Sequence, residues 1–435
     1  MNKKTLTAFL ILILGSPAAF STNGYFMIGY GAKSIGLAGA GVALPQDRLV
    51  GALNPAGVVQ VADGYDAGLR VLAGIRNGSV DCRGIGACDA VIKDRSARDL
   101  FAIPNFGWKR QLAEDLAIGV AVYGNGGINT TFGRAFYDEA LARILGGTPG
   151  TPGFPRDGKI GVDFSQLFIA PTLSWQPHQA HAFGISPILA VQRFSARGFE
   201  SFARLSADPG SVTGRGTDYT LGGGFRIGWI GKLTPSLRLG AQYTSRIWTK
   251  KSTKYNGLLA DNGSMEAPSH WTVGLAYALT ERLTLVFDYQ QIAFNSIGAL
   301  SNPGPTAAEL LGMITPERRL GADDGIGFGW TDESVFKIGA AWRATDRLTL
   351  RTGWNHGSSQ IPNAEALMNI IAPATINDNA TIGGSWDFPG LGELSFSYMY
   401  AFKKTHHDRS SAFFGTAIRH SIYEHALDVS WSRNF

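Results

Sequence analysis

The sequence predicts an all-β fold, a 14-stranded antiparallel transmembrane β-barrel with an N-terminal plug domain in its lumen. Three observations support it: about fourteen segments alternate apolar and polar residues, their connections are short and long in turn, and the composition is unusual. Glycine accounts for 56 of 435 residues, and charged residues reach only 17%, against ~25% in ordinary soluble domains. No mature segment approaches the ~18 unbroken apolar residues that a membrane helix requires.

The first residues have the pattern of a secretory signal peptide, assigned to residues 1–21. Lys3 and Lys4 precede an apolar run and a small-residue segment, which is the order of regions in such signals. We expect cleavage near Ala19 to Ser21; the alternative is a buried N-terminal helix. Loss of the two lysines lowers the formal charge from +5 to +3, so the high pI is no argument for nucleic-acid binding.

Alternation with a period of two identifies half-buried strands, because successive side chains of a strand face opposite sides of its sheet. In one such strand, one face carries Leu283, Leu285, Phe287 and Tyr289, and the other carries Thr284, Val286 and Asp288. The fourteen predicted strands are 65–76, 101–112, 115–127, 165–177, 181–199, 217–233, 237–247, 267–279, 283–295, 334–345, 348–360, 380–388, 392–407 and 424–435.

Short turns at one rim and long loops at the other are typical of bacterial outer-membrane barrels with an even strand number. The short, polar turns are therefore assigned to the periplasmic rim, and residues 65–435 to the barrel. A closed ring leaves no strand edge unpaired in lipid. The last strand places Leu427, Val429, Trp431 and Phe435 on one face, which resembles the terminal signal of such barrels, although Arg433 departs from it. The alternative is a secreted β-sandwich.

Residues 22–64 interrupt the alternation with a glycine-rich, mildly apolar segment that predicts a compact plug inside the barrel. From "GYGAKSIGLAGAGVA" to "ALNPAGV" this segment resembles the N-terminal hatch of FadL/TodX-type outer-membrane transporters of hydrophobic compounds. Asn54, Pro55 and Ala56 match the NPA motif of that family. The resemblance covers most of the chain in architecture, whereas the extreme N-terminus differs from that of the fatty-acid members and leaves the substrate open.

The resemblance implies a transport route. Tyr25, Phe26 and Met27 lie in a region that is near the bound ligand in the family. There, ligand is gathered by hydrophobic loops, passes to a pocket and leaves sideways beside a kinked third strand as the hatch moves. In this chain the third strand carries Gly119, Gly124, Gly126 and Gly127, and glycine within a strand marks a bulge or bend. The alternative is a strand that ends in a glycine-rich turn near residue 124.

Two long loops carry apolar residues that could contact ligand. Loop 128–164 contains Leu141 and Ile144 on one side of a predicted helix, and loop 296–333 contains Leu310 and Leu311. Exposed apolar groups often mark interaction sites. The alternative is that these side chains cap the barrel by packing on one another.

The alternation also predicts cations that point into the lumen: Arg226, Arg238, Arg246, Lys337, Arg343 and Arg351. Of these, Arg226, Arg246, Lys337 and Arg351 are candidate ligand-binding residues, because charge-assisted hydrogen bonds to a carboxylate are strong in a poorly hydrated site. Alternatively, most of them pair with residues such as Asp288 or with carbonyl groups of the hatch.

Other kinds of site find little support. Cys82 and Cys88 are expected to form a small loop-closing disulfide in an exported protein, and no ligand cluster indicates a metal or a cofactor. The glycine-rich stretches lack the spacing of a phosphate-binding loop. The eight histidines show no catalytic pairing, so the chain is not expected to be an enzyme.

We therefore expect a monomeric, multi-pass protein of the bacterial outer membrane that takes up hydrophobic compounds passively, through a lumenal binding site and a lateral opening. Long-chain fatty acids and hydrocarbons are both candidate substrates, and its partners are this ligand, outer-membrane lipid and detergent-like amphiphiles. The alternatives are a general porin for small polar solutes and an adhesin or structural barrel.

Overall fold

The computed structural model describes residues 23–148 and 158–435; the predicted signal peptide lies outside the described residues. The described part contains sixteen strands. They are β1 (Gly64–Asp81), β2 (Val91–Arg95), β3 (Leu100–Ala113), β4 (Leu116–Asn129), β5 (Gly161–His178), β6 (His181–Arg197), β7 (Asp218–Lys232), β8 (Leu237–Thr244), β9 (Trp248–Thr249), β10 (His270–Ala278), β11 (Leu283–Ile292), β12 (Glu333–Arg343), β13 (Leu348–Gly357), β14 (Asp378–Phe388), β15 (Gly392–Asp408) and β16 (Ala417–Asn434).

Fourteen of these strands form a closed antiparallel barrel, which confirms the predicted fold class. The barrel strands are β1, β3 to β8 and β10 to β16, each bonded to its neighbours in chain order. The ring closes where β16 pairs with β1, from Gly64–Asn434 to Asp81–Ala417. The two remaining strands are short additions, since β2 pairs with β1 and β9 with β7.

The two faces of the wall separate apolar from polar side chains, as the alternation predicts. Ile338 is 57% exposed and Phe287 is 41% exposed on the outer face. Lys337 and Asp288, which neighbour them in sequence, are buried on the inner face. An outward apolar band with a polar interior is the arrangement that a lipid environment requires of a barrel.

The repeated polar turns share one local interaction. In three of them a threonine hydroxyl accepts a hydrogen bond of 3.0 Å from the backbone N–H three residues later. The pairs are Thr234 with Leu237, Thr280 with Leu283, and Thr345 with Leu348. Such side-chain bonds replace a backbone turn bond and fix where the next strand starts. We call this end of the barrel the short-turn rim and the opposite end the long-loop rim.

Helices are short and lie in the N-terminal segment and the long loops. The α-helices are α1 (Ala32–Gly36), α2 (Phe136–Ile144), α3 (Ala260–Gly263), α4 (Gly298–Ser301), α5 (Ala307–Leu310) and α6 (Ala366–Asn369). The 3₁₀ turns are Arg48–Ala52, Pro55–Gln60, Glu200–Leu205, Pro209–Ser211, Phe294–Ser296, Pro316–Arg318 and Asn363–Glu365. Within the described ranges, no helix combines the length and the apolar character needed to cross a membrane.

The N-terminal segment, residues 23–62, packs against strands on all sides of the ring. Glycines on the barrel strands allow its backbone to approach the wall. A β-carbon on Gly353 of β13 would lie 2.5 Å from the carbonyl carbon of Leu37. The same close approach of the N-terminal segment occurs at Gly107, Gly184, Gly228, Gly240 and Gly383. Contact with β3, β6, β7, β8, β13 and β14 places this segment inside the ring.

Loops cover the long-loop rim. Cys82 and Cys88 are joined by a disulfide, and the small loop between them contacts helix α2. The backbone N–H of Ala87 donates to the carbonyl of Ile144, the last residue of α2, at 3.0 Å. This loop therefore holds the end of a helix that lies over the lumen.

The other end of helix α2 is held by a neighbouring loop. The buried hydroxyl of Tyr137 donates to the carbonyl of Leu367 in α6 at 2.5 Å. Burial raises the pKa of this hydroxyl, so it stays protonated and remains a donor.

Substitution of Gly353 by alanine is expected to displace the N-terminal segment, because the new methyl group would overlap the backbone of Leu37. Such overpacking typically costs about 1–3 kcal/mol. We expect a lower free energy of unfolding in urea and faster proteolysis within residues 23–62.

Gly223→Ala on β7 is the matched control, since its nearest neighbour, the Ile188 carbonyl oxygen, is 3.4 Å away. If residues 23–62 are cleaved by protease at the same rate in both variants, the placement of this segment against β13 is contradicted.

Candidate functional site

The barrel wall contains a seam between β3 and β4, the second and third barrel strands. Their mutual register runs from Phe106–Val122 to the short-turn rim. Toward the long-loop rim, β3 pairs with β1 and β4 pairs with β5. The segment before β3 and the segment after β4 meet again where the N–H of Ala97 donates to the carbonyl of Thr131 at 2.8 Å. The seam is thus a bounded break in the wall.

Glycines of β4 lie at this seam. The register of β4 with β5 shifts between Gly124 and Gly126, which marks a bulge. Gly126 approaches the Tyr25 carbonyl so closely that a β-carbon there would overlap it. Lower on the strand, a β-carbon on Gly119 would lie 2.9 Å from Val58 of the N-terminal segment.

The N-terminal segment pairs with β4 at the bulge. The N–H of Met27 donates to the carbonyl of Asn125 at 3.0 Å, and the N–H of Gly127 donates to the carbonyl of Tyr25 at 3.1 Å. Phe26 forms a β-bridge with Gly126. Residues 25–27 therefore lie along the lumenal side of the seam, held by a few backbone hydrogen bonds.

Tyr25 is the centre of a buried aromatic cluster. Its ring centroid is 5.0 Å from that of Phe26, 5.3 Å from Phe164, 5.8 Å from Phe294 and 6.3 Å from Trp330. All five side chains are buried. Burial raises the pKa of the Tyr25 hydroxyl, so the cluster is uncharged and offers an apolar surface.

Three cavities lie near this cluster, and one of them is lined by Phe26 together with polar lumenal side chains that include Asp288 and Lys337. The seam cavity lies at the break in the wall and is lined by Met27, Gly29, Tyr30, Gly31, Arg70, Ile103, Asn105, Tyr123, Gly124 and Asp428. The loop chamber lies under the long loops and is lined by Val162, Phe194, Phe199, Leu258, Leu259, Ala299, Leu320, Ile326, Gly327, Phe328, Met368 and Ile371. The residues that line the loop chamber are all uncharged.

Three of the four candidate cations bond to the N-terminal segment. The bonds run from Arg226 to the Gly51 carbonyl at 3.1 Å, from Lys337 to the Ile28 carbonyl at 3.1 Å, and from Arg351 to Gln46 Oε1 at 2.7 Å. Asp288 accepts from the N–H groups of Gly41 and Val42 at 2.8 and 2.9 Å. These contacts match the alternative in which the lumenal cations hold hatch carbonyls.

Two further cations make their contacts away from the N-terminal segment. Arg246 lies beyond the end of β8, where the alternation no longer applies, and pairs with Glu266 at 3.1 Å. Arg343 is exposed at the short-turn rim and donates to the carbonyl of Glu281 at 3.2 Å. Arg238 is partly exposed near the same rim.

The NPA motif joins the N-terminal segment to the wall. Asn54 Nδ2 donates to the carbonyls of Val42 and Trp229, at 2.8 and 3.0 Å. Asn54 Oδ1 accepts from the N–H of Ala56 at 3.1 Å, and Pro55 occupies the first position of the 3₁₀ turn. An Asn cap followed by Pro fits the start of a helical turn, where free N–H groups need an acceptor.

The apolar loop residues divide into two groups. Ile144 and Leu310 are buried and Leu141 is half-buried, in line with the alternative of mutual packing. Leu311 is 63% exposed and Met313 is 67% exposed, so these two side chains form an apolar outer surface on the loop after α5.

Several aromatic residues of the site were not singled out from the sequence. They lie on or beside the path between the seam cavity and the loop chamber, and they are Tyr123, Phe164, Phe294 and Trp330. The signal for Tyr123 and Phe164 was available, because both lie on the inward face of their strands, where polar residues are typical of a barrel. Phe294 and Trp330 lie in loops, where no periodicity identifies them.

Comparisons with known proteins agree with this geometry. The family model "Outer membrane protein transport protein (OMPP1/FadL/TodX)" matches residues 169–412, more than half of the chain. A search of curated protein sequences found no match.

Solved structures share the fold. The Pseudomonas putida toluene transporter TodX superposes with a TM-score of 0.63 at 17% identity, over 94% of this chain and 99% of that chain. A Pseudomonas aeruginosa FadL homologue gives 0.63 at 14% identity, over 95% and 100%. The Ralstonia pickettii toluene transporter TbuX gives 0.60 at 15% identity, over 93% and 98%.

The membrane-facing barrel and the family model together place the protein in the bacterial outer membrane. With more than half of its length matched by the family model, this chain belongs to the OMPP1/FadL/TodX family of outer-membrane transport proteins.

Proposed function

We propose that the protein takes up hydrophobic compounds passively, from the loop chamber to the lumenal aromatic cluster and then sideways through the seam into the membrane. A hydrophobic solute gains free energy whenever it stays out of water. A route that runs past aromatic side chains to a lateral exit never requires that solute to cross the aqueous lumen of an ordinary porin.

The observation that carries this proposal is a series of side chains that leads from the loop chamber toward the seam cavity. Phe194 lines the loop chamber, and its ring centroid is 6.4 Å from that of Phe164. Phe164 contacts Tyr25, and Met27, two residues later, lines the seam cavity. In this scheme the side chains along this series move apart to let a ligand pass from one cavity to the next.

The gate in this proposal is the pairing of residues 25–27 with β4. A few backbone hydrogen bonds, the ring contacts of Tyr25 and Phe26, and a hydrogen bond from Arg70 to Met27 Sδ hold this stretch. The NPA motif ties the other end of the N-terminal segment to β7. Displacement of residues 25–27 would uncover the seam while the rest of the segment stays in place. In this scheme Tyr25, Phe26 and Met27 contact the ligand directly.

We propose uncharged compounds as the preferred substrates, with hydrocarbons ahead of fatty-acid anions. The described lining of the loop chamber has no charged side chain. Arg226 and Lys337 already bond to carbonyl groups of the N-terminal segment. A fatty-acid carboxylate would have to displace one of these bonds and lose its hydration, which is costly in a buried site.

The porin alternative requires a water-filled channel, and here residues 23–62 occupy the ring.

The barrel closes within one chain, so we propose that a monomer is the transporting unit.

The direct test is uptake of radiolabelled compounds by a bacterial strain in which the gene for this protein is deleted and is supplied again on a plasmid. A panel of a monoaromatic hydrocarbon, an alkane and a long-chain fatty acid is compared with the empty vector. We expect uptake of the two neutral compounds to rise severalfold and that of the fatty acid to rise less. If only the uptake of the fatty acid rises, the proposed substrate class is contradicted. Steady ion conductance of the purified protein in planar bilayers would favour the porin alternative.

Gly126→Ala is expected to speed uptake of the preferred compound several-fold without unfolding the barrel, because displacement of residues 25–27 uncovers the seam. The added methyl group would overlap the Tyr25 carbonyl and disturb the gate. Uptake is normalised to folded protein, judged by heat-modifiable migration on gels, and Gly223→Ala again serves as the control. If Gly126→Ala takes up the compound at the wild-type rate, the proposed role of residues 25–27 as the gate is contradicted.

A further inference from the structure

Exposed basic residues form a row on the outer face of the barrel near the long-loop rim. Strands β2, β1, β16 and β15 lie side by side there, and their register aligns one residue from each strand. The aligned residues are Lys93, Ser79, Arg419 and His407. Lys93, Arg419 and His407 are exposed. We call these four residues the basic row.

The basic row faces away from the lumen. On each of the four strands a buried residue stands next to the member of the row, and these residues are Ile92, Val80, Ile418 and His406. Successive side chains of a strand point to opposite faces of its sheet. The row therefore shares the outer face with the apolar, membrane-facing side chains of the barrel.

From the row toward the middle of the barrel, the outer face changes from charged through polar and aromatic to aliphatic. On β16, Arg419 is followed on this face by Ser421, Tyr423, His425 and Leu427. Val71 and Leu427, which are paired on β1 and β16, are 38% and 50% exposed. Aromatic side chains of membrane proteins typically lie at the level of the lipid headgroups, so the basic row lies at or just beyond the membrane surface.

The spacing within the row suits a phosphate group. Lys93 and Arg419 lie on the two strands that flank Ser79, so their backbones are roughly 10 Å apart, which is two strand spacings. The small side chain of Ser79 leaves room between them. Arginine donates two parallel hydrogen bonds to a phosphate, and lysine adds a compact positive charge. The ring of His407 supplies a further N–H donor beside Arg419.

Carboxylates near the row are engaged with other cations. Asp81 pairs with Arg83 at 2.7 Å, and Asp99 pairs with Arg95 at 2.6 Å. These ion pairs leave the charges of the basic row to attract an anion from outside the chain.

We propose that the basic row binds the phosphate headgroup of a membrane lipid whose acyl chains lie on the apolar outer face of β1 and β16. A phosphorylated lipid matches the surface in order, with its charge at Lys93 and Arg419 and its chains along Val71 and Leu427. A free phosphate ion would use the cations alone and leave the apolar face without a role. The lipid belongs to the leaflet that surrounds the long-loop rim.

The bound lipid would lie beside the seam, because β1 also pairs with β3 at the edge of the break in the wall. It would hold this side of the barrel at a fixed height in the membrane. The inference does not depend on the transported substrate, since the basic row lies outside the lumen.

Equilibrium binding of radiolabelled lipid to the purified full-length protein, immobilised on scintillant beads in a non-ionic detergent, tests the proposal. The probes are phosphatidic acid and phosphatidylcholine with the same acyl chains. We expect phosphatidic acid to bind at least about tenfold more tightly, since each basic residue near a membrane surface contributes measurably to anionic-lipid binding. Excess inorganic phosphate should leave the lipid bound. Equal affinity for the two lipids would overturn the proposal, and so would full displacement by inorganic phosphate.

The double variant Lys93→Gln/Arg419→Gln should lose most of the preference for phosphatidic acid. Lys250→Gln/Lys251→Gln is the matched control, because it removes two exposed positive charges just after β9, which pairs with β7 on another part of the ring. The control should keep the wild-type preference. Unchanged preference in the first double variant, or equal loss in both, would overturn the assignment to the basic row.

If Lys93→Gln/Arg419→Gln does not fold, as judged by heat-modifiable migration on gels, the salt dependence of the wild-type protein decides. Salt screens exposed charges, so the preference for phosphatidic acid should fall steadily as the salt concentration rises. A preference that is independent of salt would overturn the proposal.

Discussion

The break in pairing between β3 and β4 is the constraint on which the rest of the site depends. In a membrane, unpaired backbone groups of a strand edge are costly, so a barrel that keeps a seam must cover it. Here the cover is the chain itself, because Tyr25 and Met27 bond to the β4 bulge at Gly126. The seam thus links the placement of the N-terminal segment, the glycine content of β4 and the position of the aromatic cluster. We propose that the same cover is the transport gate.

The N-terminal segment is firmly anchored at one end and lightly held at the other. Around the NPA motif, Asn54 bonds to two carbonyls and the segment packs on glycines of the wall. Near the seam, a few backbone bonds and ring contacts hold residues 25–27. Such an uneven distribution of contacts favours local displacement over removal of the whole segment.

The strands could be predicted from the sequence because lipid and lumen impose opposite demands on alternate side chains. Asp288, Lys337 and Arg226 were placed correctly on the lumenal face for this reason. For Arg246 the alternation was extended past Thr244, where β8 ends, and its pairing with Glu266 was not predicted. The seam could not be predicted, since side-chain alternation is the same whether or not a strand bonds to its neighbour. The pairing of Met27 with Asn125 joins residues about a hundred positions apart and leaves no local signal. The hatch, the gate glycines and the ligand contacts stay predictions.

The central claim is that ligand leaves through the seam, and covalent closure of the seam tests it most directly. A β-carbon on Gly124 would lie 2.8 Å from Cγ2 of Ile103 on β3, which suits an engineered disulfide between cysteines at these two positions. Uptake of the preferred hydrophobic compound is measured in cells that carry the double variant, before and after oxidation, with each single variant as a control. Lateral exit predicts that the cross-linked protein loses uptake while the single variants keep it. Full uptake by the cross-linked barrel would contradict the account.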